Sequence, residues 1–339
     1  MVSPQSFKPA ALLLSGLLLV SCGPPPPPPE PFVESEACAP EVTVVEVGIS
    51  SSESEDSLKQ QWEPLLSAMT DSLGRPVTGF YAADYTDEIE AMKSDKIQLA
   101  WLSGEAYVEA AKDSGAEAFA TVINADGTQG RHSYLIAHRD NPLLEDIDVT
   151  AGNGDQYVVQ NSRNLTFAFS DASSAFGYQV PMLYVFSQND VDPNQAFRKL
   201  VFVGSDEATA RAIANQEVDV AATTSETLAQ IEASAPDLRE NIQIIWTSPT
   251  IPTESLAYRN DLPDCLQQEI QTFFYDYQDS GVLDPLGWSG FVPATDQDWN
   301  PIRKLNIADQ ILDIQNDESL SNTAKQQEIE SLKQQLEAL

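Results

Sequence analysis

Cysteines, carboxylates and a few hydroxyl-rich turns carry whatever chemistry this 339-residue chain can do. Cys22 closes an apolar run from Ala10 to Val20 and directly follows Leu19-Val20-Ser21. Such a run is too short to span a bilayer and suits the core of a signal peptide. Small residues before a Cys at that spacing predict that residues 1–21 are removed and the Cys22 thiol is diacylated. The alternative is a short buried helix with a chance Cys. With three Cys and two His in all, a structural zinc site or a Cys/His catalytic pair is hard to assemble. Acids are abundant: 52 Asp+Glu stand against 18 Lys+Arg, a net charge of −34. That surface repels nucleic acid and anionic lipid, and no basic stripe offsets it. Carboxylate-based catalysis stays open on composition, but the chain shows no nucleophile elbow, metal triad or phosphate-binding loop, and no cofactor is expected.

Cys22 and Gly23 are followed by six prolines, Pro24 to Pro29. That run favours a stiff polyproline II spacer between a lipid anchor and a folded body, so residues 22–41 read as a tether. Cys38 and Cys265 remain for a compartment where disulfides persist; they pair or stay as two buried thiols. Beyond the tether, strand-like and helix-like segments alternate. Val42 to Ile49 is a β-branched run. The stretch from Ser57 to Leu73 places Trp62, Leu65, Leu66 and Met69 on one helical face. Strands are expected at Val77–Ala82, Ile97–Leu102 and Ala118–Ile123, with helices between. A strand at His132–Ala137 leaves this unit. The rhythm restarts at Leu165–Phe169 with a helix capped by Ser173 or Ser174, and runs on to a strand at Ile242–Trp246. Such βαβα order means largely parallel sheets with helices on both faces. Ligands of open α/β sheets sit at the carboxyl ends of strands, against helix N-termini.

In order along residues 44–339 the chain carries Trp62-Glu63-Pro64, Ala83-Asp84-Tyr85, Leu99-Ala100-Trp101 and Ala125-Asp126-Gly127. Val180-Pro181, Ala214 to Ala221, Ser248-Pro249-Thr250-Ile251-Pro252, Leu286-Gly287-Trp288 and Pro301-Ile302-Arg303 follow. In these pieces it resembles the phosphate/phosphite/phosphonate-binding proteins of bacterial ABC importers. The resemblance implies an α/β, type II periplasmic binding-protein fold with two lobes of mixed sheets joined by a two-segment hinge. Lobe 1 is expected at 42–136 and 249–339, and lobe 2 at 137–248. It also implies a small-molecule ligand of the phosphonate, phosphite or phosphate class, delivery to a permease with its ATPase subunits, and no catalysis.

The same resemblance implies a site. Its Ser/Thr-rich turn falls on Asp171 to Gly177: after Ser173, Ser174 matches the first of three hydroxyls, and Ala175 and Phe176 replace the next two. Ser205 and Asp206 stand after the Gly204 strand end, with Asp206 in place of a family His. A carboxylate there opposes an anion, unless Asp206 simply caps its helix and points away. Tyr85 and Trp101 belong to the first lobe's side, with Leu102 in place of a Tyr. Glu226 and Glu254 match two acceptors for a ligand ammonium, or else are a first-turn acid and a solvated loop acid. Arg131 or His132 could supply the missing cation, or be solvated strand-end groups. The departures at Ala175, Phe176 and Asp206 leave an amine-bearing or other non-phosphorus solute as an alternative, and an extracytoplasmic enzyme or sensory subunit as a more distant one. At the C-terminus, Ile329, Leu332, Leu336 and Leu339 form a stripe that docks on its own lobe or serves a homodimer contact.

Overall fold

The computed structural model describes residues 38–50, 55–317 and 319–339. The signal segment, Cys22 and the proline run lie outside the described residues.

The first sheet is assembled from two stretches of chain. Strand β1 (Val45–Ile49) leads to helix α1 (Glu55–Leu73), β2 (Val77–Tyr81), α2 (Tyr85–Lys93), β3 (Leu99–Ser103), α3 (Gly104–Asp113) and β4 (Ala116–Asn124). The chain then crosses to a second sheet and returns later with β10 and β11. The second sheet contains β5 (Ser133–His138), β6 (Thr166–Phe169), β7 (Lys199–Phe202), β8 (Val220–Thr224) and β9 (Ile242–Thr247). Helices α4 (Gly154–Asn161), α5 (Pro193–Ala196), α6 (Asp206–Ala214), α7 (Ser225–Ser234) and α8 (Pro236–Arg239) surround it, as does a wide-turned helix over residues 175–186. The return supplies β10 (Glu254–Arg259), α9 (Asp264–Asp276), α10 (Ser280–Leu283), β11 (Trp288–Pro293), α11 (Asn300–Asn316) and α12 (Asn322–Ala338).

Both sheets are mixed. The first runs β11-β4-β10-β3-β1-β2, and the second β7-β6-β8-β5-β9. Only β2, β1 and β3 are parallel in the first; β10 pairs antiparallel with β3 and β4, and β11 with β4. The returning chain inserts β10 between β3 and β4, so the mostly parallel sheet suggested by the βαβα rhythm is half antiparallel. A second correction concerns the boundary. All of β5 pairs with β8 and β9, so the first crossing falls before Ser133 rather than after Ile136.

The two crossings touch. Arg131 and Ile251 exchange backbone hydrogen bonds of 2.9 Å each, an isolated antiparallel bridge. Gly130 permits this approach, since a Cβ there would lie 2.5 Å from the Ile251 carbonyl oxygen.

Each sheet is packed on both faces. Trp62, Leu65 and Met69 of α1 join Phe274 of α9 on one side of the first sheet, while Met92, Tyr107 and Trp299 pack on the other. Each fully buried Leu, Phe or Met contributes about 1.5–3 kcal/mol. Phe167, Phe169 and Phe186 fill one face of the second sheet, and Ile213, Leu228 and Ile231 the other. Cys38 and Cys265 are disulfide-bonded with Cα atoms 5.8 Å apart, which ties the chain entry to the first turn of α9. Helix α12 lies along α11: Leu332 is buried and Leu336 packs against the cluster around Trp299. Its apolar stripe is thus used within the chain.

Candidate functional site

A cavity of about 260 Å³ opens between the sheets at the carboxyl ends of β3 and β6. Tyr85, Trp101 and Ser103 line it from one side, Ala175 and Phe176 from the other, with Arg131 and Glu254 from the crossing segments. A second groove, about 370 Å³, lies between α3 and α11. Its Tyr107, Asp296 and Arg303 side chains are already engaged with one another: the Tyr107 hydroxyl donates to Asp296 at 2.7 Å, and Arg303 pairs with the same carboxylate at 2.5 Å. The interlobe cavity is therefore the candidate.

On the first lobe, caps fix the positions. Asp84 accepts from the Asp87 amide and starts α2 at Tyr85; Ser103 accepts from the Ala106 amide and starts α3. Burial lifts the Tyr85 phenol above its ordinary pKa; a hydrogen bond with Ser103 opposes this, and the charges of Glu88 and Glu254 reinforce it. Glu254 begins β10 opposite Ser103. Burial also raises the Glu254 carboxyl, while the indoles of Trp101 and Trp288 and the Arg131 charge act the other way. Neither indole completes a bond of normal geometry to it, so Glu254 Oε2 and Trp101 Nε1 are both buried and unpartnered. Trp62, Trp101 and Trp288 pack with ring centroids 5.4–5.7 Å apart, forming an apolar wall behind this acid. One turn below Tyr85, Glu88 is fully buried and accepts a hydrogen bond from Ser50; desolvation pushes it up to about 8.

On the second lobe, two of the three predicted serines act as helix caps. The Ser174 hydroxyl accepts from the Gly177 amide at 2.9 Å, and Ser205 from the Ala208 amide at 3.1 Å. Ser173, exposed, donates to Asp171 at 2.6 Å. A capping hydroxyl spends a lone pair and keeps its O–H, so Ser174 and Ser205 can still donate to an anion. Asp206 does not cap α6, because Ser205 does. Its side chain turns to Ser170 and Gly177, at the start of the 175–186 helix. Burial raises the Asp206 carboxyl above its ordinary range; Ser170 opposes this and Glu226 adds to it.

Several expectations change. Leu102 does not line the cavity: it is 1% exposed and packs in the core, since the two-residue alternation of β3 turns Trp101 and Ser103 to the cleft instead. Glu226 is not a free acceptor but pairs with Arg131 at 3.1 Å, both half exposed. His132 is turned to the Ser248 carbonyl, 3.0 Å from Nδ1, and stacks on Tyr134. Ser103 and Ser170 were missed, although each ends or follows a parallel strand, where ligands of such sheets sit. Ile302 and Leu305 of α11 also line the cavity, from about 200 residues away in sequence from Trp101; Ile302 stands in the Pro301-Ile302-Arg303 piece, but nothing local marks either as a lining residue. Among the described residues no His/Cys/Asp/Glu group could hold a metal ion, and no helix is long and apolar enough to cross a membrane.

Two mixed α/β lobes joined by a double crossing, with a cavity between them at the strand ends, define a type II periplasmic binding-protein architecture. The model of the ABC transporter phosphonate periplasmic substrate-binding protein family matches residues 47–299, and the chain belongs to that family. It is 33% identical to a phosphonates-binding periplasmic protein of Escherichia coli K12, covering 86% of this chain and 84% of that one. A phosphate-import protein of Mycolicibacterium smegmatis is 24% identical, covering 74% and 81% respectively. The solved binding protein of an ABC phosphonate transporter from Pseudomonas aeruginosa superposes with a TM-score of 0.53 at 34% identity. It covers 87% of this chain and 96% of its own.

Proposed function

We propose that this chain is a lipid-anchored extracytoplasmic receptor of an ABC importer, holding a phosphonate, phosphite or phosphate in the interlobe cavity. It hands the ligand to a membrane permease served by ATPase subunits, and it catalyses no reaction. The supporting observation is the cavity itself. Arg131 and Ser103 line it, and Ser174 caps the helix that brings Ala175 and Phe176 to it, so a cation and helix starts stand together, the arrangement that favours an oxyanion. Glu254 offers a buried acceptor without a partner, which suits the ammonium of an aminoalkyl phosphonate.

One observation favours a second reading, an amine-bearing solute without phosphorus: Asp206, Glu226 and Glu254 outnumber Arg131 around the cleft. Calorimetric titration with 2-aminoethylphosphonate, methylphosphonate, phosphite, phosphate and a diamine separates the two. Under the first reading the phosphorus ligands bind and the diamine does not, and Glu254→Gln weakens 2-aminoethylphosphonate by about tenfold or more, the size of a lost charged hydrogen bond, while phosphite changes little. Equal losses for both ligands would remove Glu254 from the ammonium, and binding of the diamine alone would establish the second reading.

A further inference from the structure

The interlobe cavity is richer in aromatic and aliphatic wall than in free hydrogen-bond acceptors. Tyr85, Trp101 and Phe176 line it, together with Ile251, Ile302 and Leu305. Tyr85 and Trp101 come from the first lobe. Phe176 comes from the second, where the Ser133 hydroxyl donates to the Phe176 carbonyl at 2.6 Å and holds that turn in place. Two carboxylates, Glu105 and Glu254, line the cavity against the guanidinium of Arg131, which is already paired with Glu226. Glu105 is exposed in the first turn of α3, so Glu254 is the acid set into the wall. Its Oε2 is covered and has no hydrogen-bond partner, and neither has Trp101 Nε1. The other acceptors at the cavity are in use. The Ser103 hydroxyl accepts from the Ala106 amide at 3.2 Å and also meets the Tyr85 hydroxyl. The Thr253 carbonyl accepts from the Gly104 amide at 3.0 Å.

We propose that the cationic end of the ligand is an N-methylated ammonium, best a trimethylammonium, seated among Tyr85, Trp101 and Phe176 near the Glu254 charge; this rests on the reading of the cavity as a phosphorus-oxyanion site and names the amine. A primary ammonium brings three N–H donors and a tightly held hydration shell. Every donor left without an acceptor on burial costs affinity, and the one unengaged carboxylate in the wall cannot take all three. A trimethylammonium has no N–H to satisfy. Its charge is spread over methyl groups that pack against aliphatic and aromatic side chains, and aromatic rings attract a cation through their quadrupole. Glu254 then acts through its charge, which carries further where water is excluded and needs no bond to the covered Oε2.

Size agrees with this ligand class. At about 30 Å³ per water, a cavity of about 260 Å³ holds roughly nine water-sized groups. Phosphite and phosphate bring four and five non-hydrogen atoms and leave apolar wall uncovered. A trimethylammonioethyl phosphonate brings ten, with the oxyanion towards Arg131 and the methyl groups on the aromatic side chains.

The test is calorimetric titration of the intact protein with 2-aminoethylphosphonate, its N-trimethyl derivative, the uncharged carbon isostere 3,3-dimethylbutylphosphonate, choline, phosphite and phosphate. The trimethyl ligand should bind about tenfold or more tighter than the primary amine and than the isostere, the size of a desolvated cation–aromatic contact. Phe176→Leu keeps apolar bulk without a ring, and Glu254→Gln keeps shape without charge. Each should narrow the gap between the trimethyl ligand and its isostere by about threefold to tenfold. A primary amine or an uncharged isostere that binds the wild type as tightly as the trimethyl ligand would overturn the inference and leave the phosphorus reading standing. So would an undiminished gap in both variants, or binding of phosphite and phosphate alone. Choline bound as tightly as the trimethyl phosphonate would support the aromatic cation site and refute the phosphorus reading. If the folded wild type binds none of the six, that reading fails and the inference with it.

Discussion

Glu88 provides a stability test that does not depend on knowing the ligand. It is fully buried against Gly48 and Ser50, and its carboxyl is pushed from 4.5 up to about 8 by desolvation. An acid raised in the fold binds a proton more tightly there than in the unfolded chain. Its fold is therefore undiminished below about pH 4.5 and loses stability as pH rises towards 8. At 1.36 kcal/mol per unit, the loss by pH 8 and above is on the order of 4–5 kcal/mol. Glu88→Gln keeps an acceptor for the Ser50 hydroxyl and has no proton to lose. Urea denaturation at intervals from about pH 5 to 9 should give a wild-type stability that falls with pH relative to the variant, the gap changing by several kcal/mol. Self-repulsion from the net charge of −34 acts on both proteins and cancels in the difference. Parallel pH profiles would refute the reasoning and show that Glu88 is ionised or hydrated in the native state.

Two further outcomes concern the covalent chemistry. Cys38→Ala with Cys265→Ala removes a cross-link that spans 227 residues and should lower stability by roughly 5 kcal/mol on the chain-entropy estimate. A melting temperature equal to that of the wild type, or two free thiols in the untreated wild-type body, would contradict the bond's role. Cys22→Ala should abolish metabolic labelling with a radioactive fatty acid; continued labelling would exclude Cys22 as the lipid attachment point.

The local elements were legible because each is written in a short stretch. The Trp62-Leu65-Leu66-Met69 face spells α1, Ser174 spells a helix start, and the β-branched run that contains Val45–Ile49 spells a buried strand, whereas the cap of α6 is Ser205 rather than Asp206. Tyr85, Trp101 and Glu254 were placed by resemblance, and all three line one cavity. What the sequence could not determine is long-range insertion and register. Strand β10 enters between β3 and β4 from 130 residues downstream of the end of β4, which turns half the first sheet antiparallel and carries Glu254 to Ser103. A one-residue choice of face on β3 decides that Ser103 meets the cleft and Leu102 the core, because side chains alternate along a strand. The Arg131–Glu226 pair needs the bridge between the two crossings, and the meeting of Asp206 with Ser170 needs the close approach at Gly177. Propensity, capping and apolar periodicity act over a few residues and are therefore printed in the chain itself. Which acid finds a cation and which is left facing a helix start depends on segments far apart in sequence, and only the packed structure brings those together.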